Sequence, residues 1–250
     1  MLKNIIRRVL GNYYWVKMSP NLKYRGAWKA GQIHGYGHLY YANGTKYSGW
    51  FANGNKHGNG QYTSSTGYEY TGGWLSGKQF GQAKIKYKNG DQYNGAISNS
   101  LRHGHGEFYH LSTKRYFTGN WVNGRLDGAA EIKDPNWVFI GSVNQITGRG
   151  NGNLHYKDGT KYCGELLNFK RHGNGTLHLH NRHSITGKWV NNVNVEDAEI
   201  VDENGFHWQG GLLKMKPDGY MRITRPDGIF YDSYWKHGTL VQSLSVTKPH

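Results

Sequence analysis

YRGAWKAGQIHGYGHLYYANGTK, residues 24 to 46, is followed by near-copies of itself along the rest of the chain. A stretch that recurs at fixed spacing decides the fold, because every copy must build the same local structure against its neighbours. At a spacing of 23 residues the copies start at Tyr24, Tyr47, Tyr70, Tyr93, Phe117, Phe139, Tyr162, Ile185, Trp208 and Tyr231, with a one-residue slip before Phe117 that is undone before Phe139. Two residues after each of the first nine starts stands a glycine: Gly26, Gly49, Gly72, Gly95, Gly119, Gly141, Gly164, Gly187 and Gly210. The tenth start has Ser233 there.

Within the first copy, Tyr24, Gly26 and Trp28 alternate, and so do Gly35, Gly37, Leu39 and Tyr41. Both runs carry the period of two that belongs to a strand. Trp74, Trp121 and Trp189 repeat the position of Trp28. A short loop with Gly31 separates the two runs, and Asn43-Gly44 follows them, a dipeptide suited to a tight turn in which both central residues take positive φ. Asn89-Gly90, Asp158-Gly159, Asn204-Gly205 and Asp227-Gly228 repeat it in register. Each copy therefore reads as a hairpin joined to the next, giving an all-β, elongated, single-layer antiparallel meander. With about 4.8 Å between strands its ribbon would run roughly 90 Å. The glycines let aromatic rings lie across bare backbone, an arrangement that offsets glycine's weakness in a sheet.

The pattern Tyr-x-Gly-x-Trp-x-x-Gly-x-x-His-Gly-x-Gly, intact from Tyr24 to Gly37 and nearly so from Tyr47 to Gly60, resembles the MORN (membrane occupation and recognition nexus) repeat. The resemblance covers residues 24–238, about nine and a half repeats. It implies the hairpin fold. Similar repeats serve in ciliary radial spokes, junctional membrane proteins, phosphoinositide kinases, lysine methyltransferases and cytoskeletal scaffolds. The catalytic relatives carry their chemistry in an added domain, for which this chain has no room, so a non-enzyme without cofactor, metal or small-molecule substrate is expected.

The motifs agree. Gly148, Gly150 and Gly152 mimic part of a dinucleotide fingerprint, but no helical pattern follows them. His34, His57, His103 and His172 recur before a glycine, and a catalytic group would not recur at fixed spacing, so these imidazoles are read as structural hydrogen-bonding groups. His103 with His105, and His178 with His180, lack a nearby cysteine or carboxylate to complete a metal set.

Hydrophobic residues make up only 36%, while 19 tyrosines and 9 tryptophans supply packing. The single Cys163 excludes an internal disulfide and fits a reducing compartment. No run has the length of a transmembrane helix. The net charge of +15 predicts an anionic partner. No acid precedes Glu69, which makes Lys23, Arg25, Lys29, Lys46 and Lys56 candidates to meet acidic phospholipid or acidic protein, the plain alternative being solvated charges. Nucleic acid ranks third, because repeat packing accounts for the aromatic residues.

Residues 1–18 precede the repeats. Leu2, Ile5, Ile6, Val9 and Leu10 at helical spacing, with Lys3, Arg7 and Arg8 opposite, predict a short basic amphipathic helix. It fits a mitochondrial targeting segment, a membrane-surface anchor or a cap on the first hairpin. Gly31, Gly54, Gly77 and Gly124 hold the loop position of the early repeats, with Ser100 as the exception; Ile146, Phe169, Asn192 and Met215 replace glycine later. Bulky residues there are expected to change the loop geometry. Ile146, Phe169 and Met215 are expected to form a protein-docking edge unless a neighbouring segment covers them. The eighth repeat, with Val195-Glu196 in place of His-Gly, is the most degenerate, and residues 239–250 read as a polar tail. The expected function is a structural subunit that bridges proteins of a large assembly, narrowly mitochondrial; a ciliary or cytoskeletal scaffold and a module binding acidic phospholipid are the alternatives.

Overall fold

A computed structural model describes residues 14–194 and 198–247. They form 22 strands: β1 (Val16–Ser19), β2 (Leu22–Lys29), β3 (Gln32–Tyr41), β4 (Lys46–Ala52), β5 (Asn55–Thr63), β6 (Glu69–Leu75), β7 (Lys78–Lys86), β8 (Gln92–Ser98), β9 (Leu101–His110), β10 (Arg115–Val122), β11 (Arg125–Lys133), β12 (Trp137–Asn144), β13 (Arg149–Tyr156), β14 (Lys161–Leu167), β15 (Lys170–His178), β16 (Ser184–Val190), β17 (Val193–Asn194), β18 (Ala198–Val201), β19 (His207–Leu213), β20 (Lys216–Thr224), β21 (Phe230–Lys236) and β22 (Thr239–Thr247). The chain divides into two compact units, Met1–Leu126 and Asp127–His250. Within each, strands pair antiparallel with their sequence neighbours, as an open meander requires, except that β16 pairs with both β17 and β18.

The start residues form the spine of the packed face. Tyr24, Tyr47, Tyr70, Tyr93, Phe139 and Tyr162 are fully buried. Each tyrosine hydroxyl donates to the carbonyl three residues on: Tyr24 to Ala27 at 2.9 Å, Tyr47 to Trp50 at 2.9 Å, Tyr93 to Ala96 at 2.8 Å. The rings of Tyr24, Tyr47, Tyr93 and Tyr162 each cross the glycine pair beside them, so a Cβ on Gly60 would stand 2.5 Å from the Tyr47 hydroxyl; beside Tyr70 the pair is Gly72 and Ala83. Ring and glycine are thus one packing device, as the period of two predicts.

The turns exchange the roles read from sequence. The two-residue turns with both φ positive are Ala30-Gly31, Asn53-Gly54, Ser76-Gly77 and their counterparts, the geometry of a type I′ hairpin. Asn43-Gly44 belongs instead to a three-residue loop: Tyr41 N–H donates to Thr45 O and Gly44 N–H to Tyr41 O, both at 2.9 Å, and only Gly44 takes positive φ, at 89°. Asn43 Oδ1 accepts the Thr45 N–H at 3.0 Å, which holds asparagine out of the left-handed region.

The expectation that bulky residues change the loops fails at two of three positions. Phe169 keeps φ 60° and Met215 φ 66° inside two-residue turns, a strain of about 1–2 kcal/mol each. At the Phe169 turn a hydrogen bond to the preceding repeat offsets it, Asn168 N–H donating to Gly148 O at 2.7 Å. Only at Ile146 does the geometry change, where β12 and β13 close on a four-residue loop, Asn144 pairing with Arg149.

His-Gly marks a bulge. Gly26 faces Gly37 and Trp28 faces Ile33, so His34, Gly35 and Tyr36 together oppose Ala27. The same three-against-one step recurs around Gly58, Gly81, Gly104, Gly173 and Gly219, all at positive φ. The glycine, rather than an imidazole bond, is what the pair supplies: His172 Nδ1 is buried without a partner.

Both ends of the chain depart from expectation. The helix expected over residues 1–18 lies mostly outside the described residues, and its last part, Val16–Met18, is in β1 paired with β2. The segment read as a polar tail carries β22, paired with β21.

Burial pushes the phenols of Tyr24, Tyr70, Tyr93 and Tyr162 up to about 12. A folded pKa above the unfolded value of about 10 stabilises the fold fully below pH 10, a contribution lost as pH rises toward 12. The urea midpoint is therefore expected to stay level up to about pH 9.5 and fall steeply between about pH 10 and 12; a level midpoint across that window would show the tyrosines are not sequestered.

A basic and aromatic face on the first repeats

Strand alternation that buries Tyr24 and Tyr47 turns their neighbours to the opposite, open face. Register then aligns those neighbours in rows across the strands. Lys17 faces Lys23, Lys23 faces Tyr40, and Tyr40 faces Lys46. In the next row Arg25 faces His38 and His38 faces Ser48; beyond it Tyr36 faces Trp50. Tyr36 is 50% and Trp50 53% exposed, and Trp15 and Tyr40 are also solvent-accessible.

These side chains brace one another. Tyr36 meets Trp50 edge-on at 6.0 Å and His38 at 5.4 Å; Trp15 meets Tyr40 at 6.3 Å. The Arg25 guanidinium lies over the Trp15 ring at 5.5 Å and the Lys46 ammonium over Tyr40 at 5.8 Å. His38 Nδ1 contacts Ser48 Oγ at 2.8 Å, and burial together with the Arg25 charge holds its imidazole below the usual histidine range. His38 is therefore neutral at neutral pH, and the positive charge of the face belongs to Lys17, Lys23, Arg25 and Lys46. None of them enters an ion pair among the described residues.

Charge divides unevenly between the units. Met1–Leu126 holds 17 lysines and arginines against 3 acids, a net +14; Asp127–His250 holds 14 against 13, a net +1. The second unit neutralises itself with pairs such as Arg222 and Asp232, 2.9 Å apart, where the guanidinium holds the Asp232 carboxyl at about 2.

Of the cations singled out by sequence, Lys23, Arg25 and Lys46 share this face, and Lys29 sits exposed at the tip of β2. Lys3, Arg7 and Arg8 lie outside the described residues. Lys56 is on the packed face, its ammonium over Tyr47, Tyr62 and Trp74 at 5.0, 4.7 and 4.6 Å, and burial lowers its pKa. Arg102 and Arg171, which sequence reasoning passed over, occupy the same repeat position: Arg102 lies over Trp121 and Phe108, Arg171 over Trp189, and each donates to a carbonyl of the next turn. Lys17 and Trp15 were missed because they fell inside the expected helix. Tyr36, Tyr40 and Trp50 were readable by parity from Tyr24 and Tyr47, but their alignment needs the register.

Ile146 is 68% and Met215 38% exposed, whereas Phe169 stacks on Trp137 at 5.6 Å and meets Phe139 edge-on at 6.2 Å. Among the described residues no cluster of three or more metal-ligating side chains occurs, and no helix is long and apolar enough to cross a membrane.

The sequence model of the MORN repeat matches residues 24–46, 47–67, 70–92, 93–110, 117–137 and 162–183. No curated protein matches the chain significantly in sequence. Among solved structures, the TCP10 domain of Danio rerio CPAP, in complex with a peptide of Danio rerio STIL, is 12% identical with a TM-score of 0.50, over 85% of this chain and 96% of that one. The CPAP G-box domain is 15% identical with a TM-score of 0.47, over 77% and 100%. The SAS-4 (dCPAP) TCP domain of Drosophila melanogaster is 15% identical with a TM-score of 0.36, over 71% and 85%. At these identities the likeness is one of fold.

Proposed function

Because the chain belongs to the MORN repeat family, we propose that it acts as a non-catalytic scaffold, a run of hairpins whose exposed surface holds other proteins in a larger assembly. The observation that carries this reading is the open face of the first repeats, where Tyr36 and Trp50 stand half-exposed beside cations that enter no ion pair among the described residues. Packing alone explains neither, since the rings that hold the hairpins together lie on the other face. The TCP10 domain of Danio rerio CPAP, similar in fold, is known in complex with a STIL peptide, which is a property of that protein. Here the support comes from this chain's own surface and its family.

Family membership supports a ciliary or cytoskeletal assembly. The mitochondrial reading rests on the basic segment 1–18, most of which lies outside the described residues, and on the high pI. Affinity purification of the full chain with mass spectrometry, together with cell fractionation, tests the proposal. Recovery of a reproducible set of stoichiometric proteins is expected, axonemal or cytoskeletal in identity. Recovery of none at physiological salt would overturn the scaffold reading, and respiratory or ribosomal partners would move it to mitochondria.

A further inference from the structure

Like charges directly opposed across a strand pair repel and destabilise it, whereas an opposite charge there stabilises. Lys17 and Lys23 are so opposed, Lys46 follows one strand beyond Tyr40, and Arg25 lies in the adjoining row. No acid occurs in the chain before Glu69, and Glu69 is 3.5 Å from Lys86. Among the described residues no carboxylate pairs with these cations to relieve the repulsion.

We propose that the open face of β1 to β4 binds an acidic, extended segment of a partner protein. This deepens the scaffold reading and rests on it. The rows supply both halves of such a segment's chemistry. Along a strand, side chains on one face recur about every 6.6–6.8 Å, the spacing at which an extended peptide presents alternate residues of its own. Carboxylates on one side of the peptide meet Lys23, Lys46 and Arg25, while apolar residues farther along that same side lie against Tyr36 and Trp50. A protein segment is favoured over nucleic acid because the rings are turned edge-on to one another, and Arg25 and Lys46 already cover Trp15 and Tyr40, which leaves no ladder of free ring faces for bases. It is favoured over a membrane because the rings are braced in rows at fixed register and do not project singly to be inserted.

The test uses the full chain at about 0.15 M salt. A fluorescent dodecapeptide with glutamate at the alternate positions of one half, leucine at the same alternate positions of the other and serine between them is titrated by anisotropy, beside its lysine-for-glutamate counterpart, an oligo(dT) dodecamer, and phosphatidylcholine–phosphatidylserine vesicles in a two-to-one ratio. The glutamate peptide is expected to bind, and the lysine peptide not. Lys23→Glu/Lys46→Glu is expected to weaken binding about tenfold or more, Trp50→Ser by several-fold, and the charge-matched control Lys84→Glu/Lys86→Glu by less than about twofold. Equal losses in patch and control variants would overturn the site and leave only net charge. Tighter binding of oligo(dT) or of vesicles, lost in the patch variant, would overturn the choice of partner. Co-purifying proteins that persist unchanged with Lys23→Glu/Lys46→Glu would sink this inference while leaving the scaffold reading intact.

Discussion

Gly106→Val is expected to cost the first unit about 3 kcal/mol, at the upper end of what overpacking does to a core. Gly106 faces Gly95 across β8 and β9, and the Tyr93 ring crosses both. A Cβ at Gly106 would stand 2.6 Å from Tyr93 Cζ, well inside contact distance. The ring cannot withdraw, because it is 2% exposed and its hydroxyl is tied to Ala96 O. The backbone of Gly106 cannot withdraw either, since its carbonyl accepts from Trp121 Nε1 at 3.0 Å. Repeat three carries Ala83 at this position, which shows that one methyl is tolerated where the neighbours have adjusted; valine adds two more carbons at a branched centre. Urea unfolding followed by tryptophan fluorescence measures the loss. Adding Tyr93→Leu should return about 1 kcal/mol or more as coupling; strict additivity would show that ring and glycine are not one device.

Arg102→Met should lose about 2–3 kcal/mol. The guanidinium lies 4.2 Å from the Trp121 ring centre and 4.4 Å from that of Phe108, and Nη2 donates to Gly124 O at 2.8 Å. A desolvated cation over such rings is worth about 2 kcal/mol, and the hydrogen bond to the turn about another 1. Methionine fills the volume but supplies neither. Lysine, which the second repeat uses at Lys56, restores the ring contacts but not the reach to Gly124, so Arg102→Lys should fall about 1 kcal/mol short of the natural residue. If Arg102→Met matches the parent chain, the stack is decorative.

What was legible in the sequence follows from which signals are local. Tyr24, Gly26 and Trp28 declare their shared face by alternation, and their recurrence declares the hairpins. The turn types were not legible. Asn43-Gly44 favours a two-residue turn in isolation, yet Asn43 commits its side chain to the Thr45 N–H, while Ala30 and Ser76 accept positive φ in two-residue turns, the second tied to the preceding repeat through Gly77 N–H and Lys56 O. Val16–Ser19 was unreadable for a different reason: a four-residue strand has no period of its own and exists through its pairing with β2. The open-face patch lay between. Parity gave the residues, but Lys17 beside Lys23 beside Tyr40 beside Lys46 is a fact of register, which no single strand records.

The near-neighbour pairing described for each unit has a consequence in time. A ribosome adds about 5–20 residues per second, so a 23-residue repeat emerges over roughly 1–5 s, whereas a hairpin closes in about 1–10 μs. Each strand finds its partner in the stretch just synthesised, and none has to wait, exposed, for a sequence still to be made. A sheet rich in glycine and bare edges, which would be hazardous to assemble from distant parts, is thereby laid down one repeat at a time, with a single growing edge open at any moment.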